Sequence, residues 1–137
     1  MRHTVQLTIT SLLSILFLTL HLAQDILYGM AQPGLSTLLA AVPVLVLWLY
    51  GTLVLAERRS GYIIILLGSL VGLAVSVIHF RGPSGVLNAE HLKSSGAFFF
   101  VWTLLALGVS ATYSVVLSVR GLIVSAGAHR QRASMAP

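Results

Sequence analysis

Five residues of this chain have side chains that hold cations or move protons and could share one site: His21, Asp25, His79, Glu90 and His91. His21 and Asp25 stand four apart, so on a helix they stack on one face. A carboxylate beside an imidazole fixes its tautomer and orients the ring, which suits a metal ligand or a proton relay. Zn²⁺ is commonly held by His together with Asp or Glu, and these five residues supply such a set. A bis-His haem pair, His21 with His79, is the other metal reading. Neither has a signature spacing such as H-E-x-x-H, and the ligands come from three separate segments. Asp25 lies near the expected end of a helix, where the backbone dipole disfavours negative charge. It therefore needs a cation or a proton. Arg81 is the candidate, and an Asp25–Arg81 pair that simply locks two helices is the competing structural explanation. Gln24 and Tyr28 complete the polar neighbourhood.

Other chemistries find no support. A Gly-rich phosphate loop, a Ser-His-Asp order and a nucleophile elbow are all missing. With no cysteine in 137 residues, disulfides, thiolate metal sites and cysteine nucleophiles are excluded. The first helix lacks the deep Glu expected of small multidrug carriers, and no motif ties the chain to a known family.

The elements that must position these residues are apolar throughout. The chain is 57% hydrophobic and 8% charged, against about 25% charged in ordinary soluble domains. Eleven Lys, Arg, Asp and Glu residues cannot supply the polar skin of a soluble domain, and a bilayer removes the need for one. Four apolar runs, at about 5–27, 34–56, 62–80 and 97–119, are each long enough to cross a hydrocarbon core. We therefore expect an all-α integral membrane protein, an antiparallel bundle of four transmembrane helices. It forms one domain over residues 1–137, with a short mobile tail from about 124. The first run exceeds a usual signal-peptide core, so an uncleaved helix is expected. Pro43 falls inside the second run and invites a kink. Trp48 and Tyr50 lie toward its far end, near an expected aromatic belt.

Lys and Arg placement sets the orientation. With both termini cytoplasmic, the inside carries Arg2, Arg58, Arg59, Arg120, Arg130 and Arg132, and the outside carries Arg81 and Lys93. That asymmetry favours N-in, C-in in a cell membrane. The net charge of +5 is explained by these flanks, so no nucleic-acid partner is expected.

Packing faces follow from small residues. Gly68, Gly72 and Ser76 form a stripe on the third helix, and Ala106, Ser110, Ser114 and Ser118 one on the fourth. The first helix alternates threes and fours through Thr4, Leu7, Ser11, Ser14, Leu18, His21 and Asp25, a seam with coiled-coil spacing. His21 and Asp25 should then face the bundle. Topology brings three of the five histidines and two of the three carboxylates to the outer end. The leading expectation is a small membrane binding or accessory protein. Its outer pocket captures a metal ion (Zn²⁺, or haem in the bis-His version), a small polar ligand or a partner. The alternatives are an oligomeric transporter or channel using Asp25 and His21, and a structural subunit of a larger membrane complex.

Overall fold

A computed structural model describes residues 2–29, 31–81 and 95–134. It is all-helical: α1 (Arg2–Leu27), α2 (Leu35–Leu53), α3 (Arg59–Arg81) and α4 (Ser95–Ser134). All four helices are long and apolar enough to span a membrane. The expected runs each contain or overlap one helix. The largest difference is α4, which continues helically to Ser134. Residues 124–134, expected as a tail, therefore belong to the helix. Their small residues and arginines are compatible with helical dihedrals, and no proline intervenes before Pro137. Pro43 is accommodated inside α2.

Residues near the start of α1 meet the start of α3 and the far part of α4. His3 lies beside Tyr62 with ring centroids 6.3 Å apart, and Tyr62 lies against Gly121. At the opposite end, His21 of α1 meets His79 of α3 and Phe100 of α4. α1, α3 and α4 thus share a common interior, and α2 packs mainly on α3. Gly29 ends α1. Its φ of 72° is in the left-handed region that glycine enters without steric cost. The turn lets the Gly29 and Ala31 amides reach the Ile26 and Asp25 carbonyls at 3.2 and 3.0 Å.

Outside and inside are reversed relative to a soluble domain. Among the described residues, twelve polar or charged side chains are buried against eight hydrophobic ones, while Leu, Val, Ile and Phe cover the surface. Isolated surface hydrophobes are ordinary, but a continuous apolar exterior around a hydroxyl-lined interior is what lipid selects. Several buried hydroxyls find partners inside the bundle, whereas those of Ser69, Ser114 and Ser118 have none among the described residues. Ser14 donates to Ser110 at 3.1 Å, Ser11 and Thr52 share a 2.7 Å bond, and Trp48 Nε1 donates to Ser11 at 2.9 Å.

The α1 seam is as expected: Leu7, Ser11, Ser14, His21 and Asp25 are buried, with Thr4 and Leu18 half-buried. Gly68, Gly72 and Ser76 are buried on α3. Two readings need correction. Ala106 is only half-buried, although Ser110, Ser114 and Ser118 are buried. A strict spacing of four drifts by about 40° per step on a 3.6-residue helix, so Ala106 has rotated out of the face. The buried positions Phe100, Thr103, Leu107, Ser110, Ser114, Ser118 and Gly121 are spaced by a mixture of threes and fours instead. Trp48 is not a belt residue. It is 1% exposed, and its indole rests on Gly68, where the missing side chain leaves room for a bicyclic ring.

Candidate metal centre

Three side chains from two helices converge near one end of the bundle. The Asp25 Oδ2 atom is 3.7 Å from His21 Nε2 and 3.6 Å from His79 Nε2. One ligand atom from each of the three residues lies within 4.8 Å of the others. The two imidazoles meet edge to face, with centroids 4.6 Å apart and planes at 89°. His21 is 1% exposed and Asp25 9%. The His79 side chain, at 25%, forms the open side.

Local structure explains the placement. His21 and Asp25 are one helical turn apart on α1, so their side chains overlie each other. His79 is oriented by its own helix: Nδ1 is 2.9 Å from the Val75 carbonyl one turn earlier. A carbonyl only accepts, so this bond assigns the proton to Nδ1. In a neutral ring Nε2 then carries a lone pair, and it faces the Asp25 carboxylate. Phe100 of α4 covers both rings, at 4.8 Å from His21 and 6.0 Å from His79.

The remaining polar atoms are not satisfied. Among the described residues, His21 Nδ1 and Nε2 and Asp25 Oδ1 are buried without a hydrogen-bond partner. Leaving such a group unpaired costs about 1–3 kcal/mol each. The Asp–His separations of 3.6–3.7 Å exceed hydrogen-bond length. They are close to the edge of a Zn²⁺ coordination tetrahedron, about 3.3–3.4 Å for bonds of 2.0–2.1 Å. The same geometry argues against haem. Bis-His ligation puts the rings on opposite faces of a macrocycle, and edge-to-face rings 4.6 Å apart leave no space between them.

The other expected site residues divide. Gln24 is buried on the same turn of α1, and its Oε1 accepts the Thr103 hydroxyl at 2.7 Å. Tyr28 is half exposed at the rim, its ring 5.9 Å from Phe100. Arg81 is exposed and makes no ion pair with Asp25; among the described residues the basic groups at ion-pair distance from that carboxylate are His21 and His79. The reason is rotational: two residues beyond His79, Arg81 lies about 200° around α3. Glu90 and His91 lie outside the described residues. The sequence reading overlooked Thr103 and Phe100. Both lie on the α4 seam once it is traced in threes and fours, the alternation already evident in α1. The chain matches no protein-family model, no curated protein and no solved structure.

Proposed function

We propose that this chain is an integral membrane protein, an antiparallel four-helix bundle with both termini cytoplasmic. At its outer end it captures a divalent transition-metal ion on His21, Asp25 and His79. Two nitrogens and one carboxylate oxygen suit Zn²⁺ best among common biological cations. The observation that carries this reading is the convergence of three donor atoms within 4.8 Å of one another, with Asp25 at 3.7 Å from His21 and 3.6 Å from His79, too long for hydrogen bonds and close to a coordination edge. A cation between them would satisfy the buried Asp25 charge and His21 lone pair together. A fourth ligand, water or a carried group, would enter beside half-exposed His79.

Capture rather than passage through one chain is supported by what lies below. Leu104 and Leu107 are fully buried at 0% exposure. They occupy the α4 face between Thr103, which bonds Gln24, and Ser110, which bonds Ser14. Among the described residues no side-chain hydrogen bond joins the two layers; Ser76, buried at that level, donates only to the Gly72 and Leu104 carbonyls.

The test is metal content and affinity of the chain purified in detergent without chelator. One Zn²⁺ per chain is expected by elemental analysis, with Co²⁺ substitution giving a tetrahedral visible spectrum. Competition against a chromophoric chelator should show His79→Ala and Asp25→Asn weakening Zn²⁺ by at least about 100-fold, since each removes a direct ligand. Wild-type affinity no tighter than that of the His21→Ala, His79→Ala double variant would remove the proposal.

A further inference from the structure

A cavity of about 380 Å³ with charged and polar residues in its lining opens at the other end of the bundle. Its lining includes His3 and Thr4 of α1, Glu57 of the α2–α3 turn, Tyr62 of α3, and Arg120 and Ser125 of α4. Three elements and a turn build it. Thr4 Oγ1 donates to Glu57 Oε1 at 3.4 Å, tying the start of α1 to the turn. The Tyr62 ring packs against α4 at Gly121, where an added Cβ would fall 2.5 Å from Cε1 and 2.7 Å from Cδ1. The His3 Nε2 atom is buried with no hydrogen-bond partner among the described residues.

The charges here are informative. Glu57 and Arg120 line one cavity, yet among the described residues neither has an ion-pair partner, and they do not pair with each other. A bare phosphate would meet the Glu57 carboxylate, and a bare amine would meet the Arg120 guanidinium. A zwitterion with a phosphate and an ammonium a few ångströms apart satisfies both. Depth points to a lipid. From Phe100, beside the outer cluster, to Arg120 is about 30 Å of helix rise, the thickness of a hydrocarbon core. Arg120 therefore lies at headgroup level if the chain spans the bilayer. Val124 borders the cavity and is 66% exposed, continuing the apolar α4 surface along which acyl chains can lie.

We propose that this cavity holds the headgroup of an ethanolamine phospholipid, its phosphate on Arg120 and the His3 imidazole and its ammonium on Glu57. A choline headgroup has the same charges but no N–H to donate, so Glu57 distinguishes the two. The inference rests on the transmembrane reading above, and is independent of metal capture.

The experiment reconstitutes the full chain in phosphatidylcholine nanodiscs containing equal minor fractions of phosphatidylethanolamine and phosphatidylglycerol. Lipids that stay bound on release are then counted by native mass spectrometry. Ethanolamine lipid should be retained about fivefold over choline lipid, the scale of one net hydrogen bond. In Glu57→Gln that preference should fall to about one while phosphate-dependent retention persists. In Arg120→Gln retention of all phospholipids should fall. Soluble phosphoethanolamine should not displace the bound lipid; displacement would assign the cavity to the free compound and overturn the lipid assignment. Equal retention of the ethanolamine and choline lipids by the wild type, or an unchanged preference in Glu57→Gln, would also overturn it. Failure of the chain to enter nanodiscs as a helical protein would instead refute the transmembrane reading.

Discussion

Replacing Gly68 with alanine is the sharpest test of how the interior is built. A Cβ at Gly68 would overlap Trp48 Cδ2 and lie 2.6 Å from Cγ and 2.8 Å from Cε2. Ordinary carbon contacts are about 3.5–4.0 Å, so helix or indole must move by about 1 Å. The indole is not free to move. Its Nε1 donates to Ser11 at 2.9 Å, and Ser11 is bonded to Thr52 at 2.7 Å. Overpacking costs about 1–3 kcal/mol, and breaking the buried Trp48 bond about 1–3 more. The expected loss is therefore about 2–6 kcal/mol. One turn on, the same change at Gly72 puts a Cβ 3.2 Å from Leu107 Cδ1 and 3.5 Å from Trp48 Cη2. The ends of flexible or edge-on side chains can yield by a few tenths of an ångström, so Gly72→Ala should change stability by less than about 1 kcal/mol. Unfolding in mixed micelles of dodecyl sulfate and mild detergent, followed by circular dichroism and tryptophan emission, measures both. Equal stability of the two variants would refute the packing described for α2 on α3.

Further outcomes follow from the same contacts. Thr103→Val removes the hydroxyl that Gln24 accepts and should cost about 1–3 kcal/mol in the same unfolding assay, because the amide stays buried. A double-mutant cycle on Ser14→Ala and Ser110→Ala should return a coupling of about 0.6 kcal/mol, the usual size for hydrogen bonds between membrane helices; a coupling indistinguishable from zero would mean that the 3.1 Å contact contributes nothing. Arg81→Ala should leave Zn²⁺ affinity unchanged in the chelator competition, since Arg81 is exposed and makes no ion pair with Asp25; a tenfold change would show that it acts on the site. Zn²⁺ affinity should weaken steadily as pH falls from 7 to 5, because protons compete for the same imidazole and carboxylate lone pairs; a flat profile would argue against histidine ligation.

By itself the sequence determined that four helices form and that they are long and apolar enough to cross a bilayer. Hydropathy is summed along each segment and depends little on what the segment touches. It also determined the inward face of α1, because Ser11, Ser14, His21 and Asp25 are costly in lipid and share one 3-4 alternation. What only the tertiary structure decided is which groups meet across helices. Which side chain of α3 lies opposite Asp25 depends on the rotation of α3 about its axis, and that rotation presents His79 and turns Arg81 away. The burial of Trp48 depends on Gly68 lying opposite it, a pairing set by the relative height of two helices. The pocket shared by His3, Glu57 and Arg120 joins residues up to 117 positions apart in the chain. Local propensity carries no record of such distances; close packing of the assembled helices creates them.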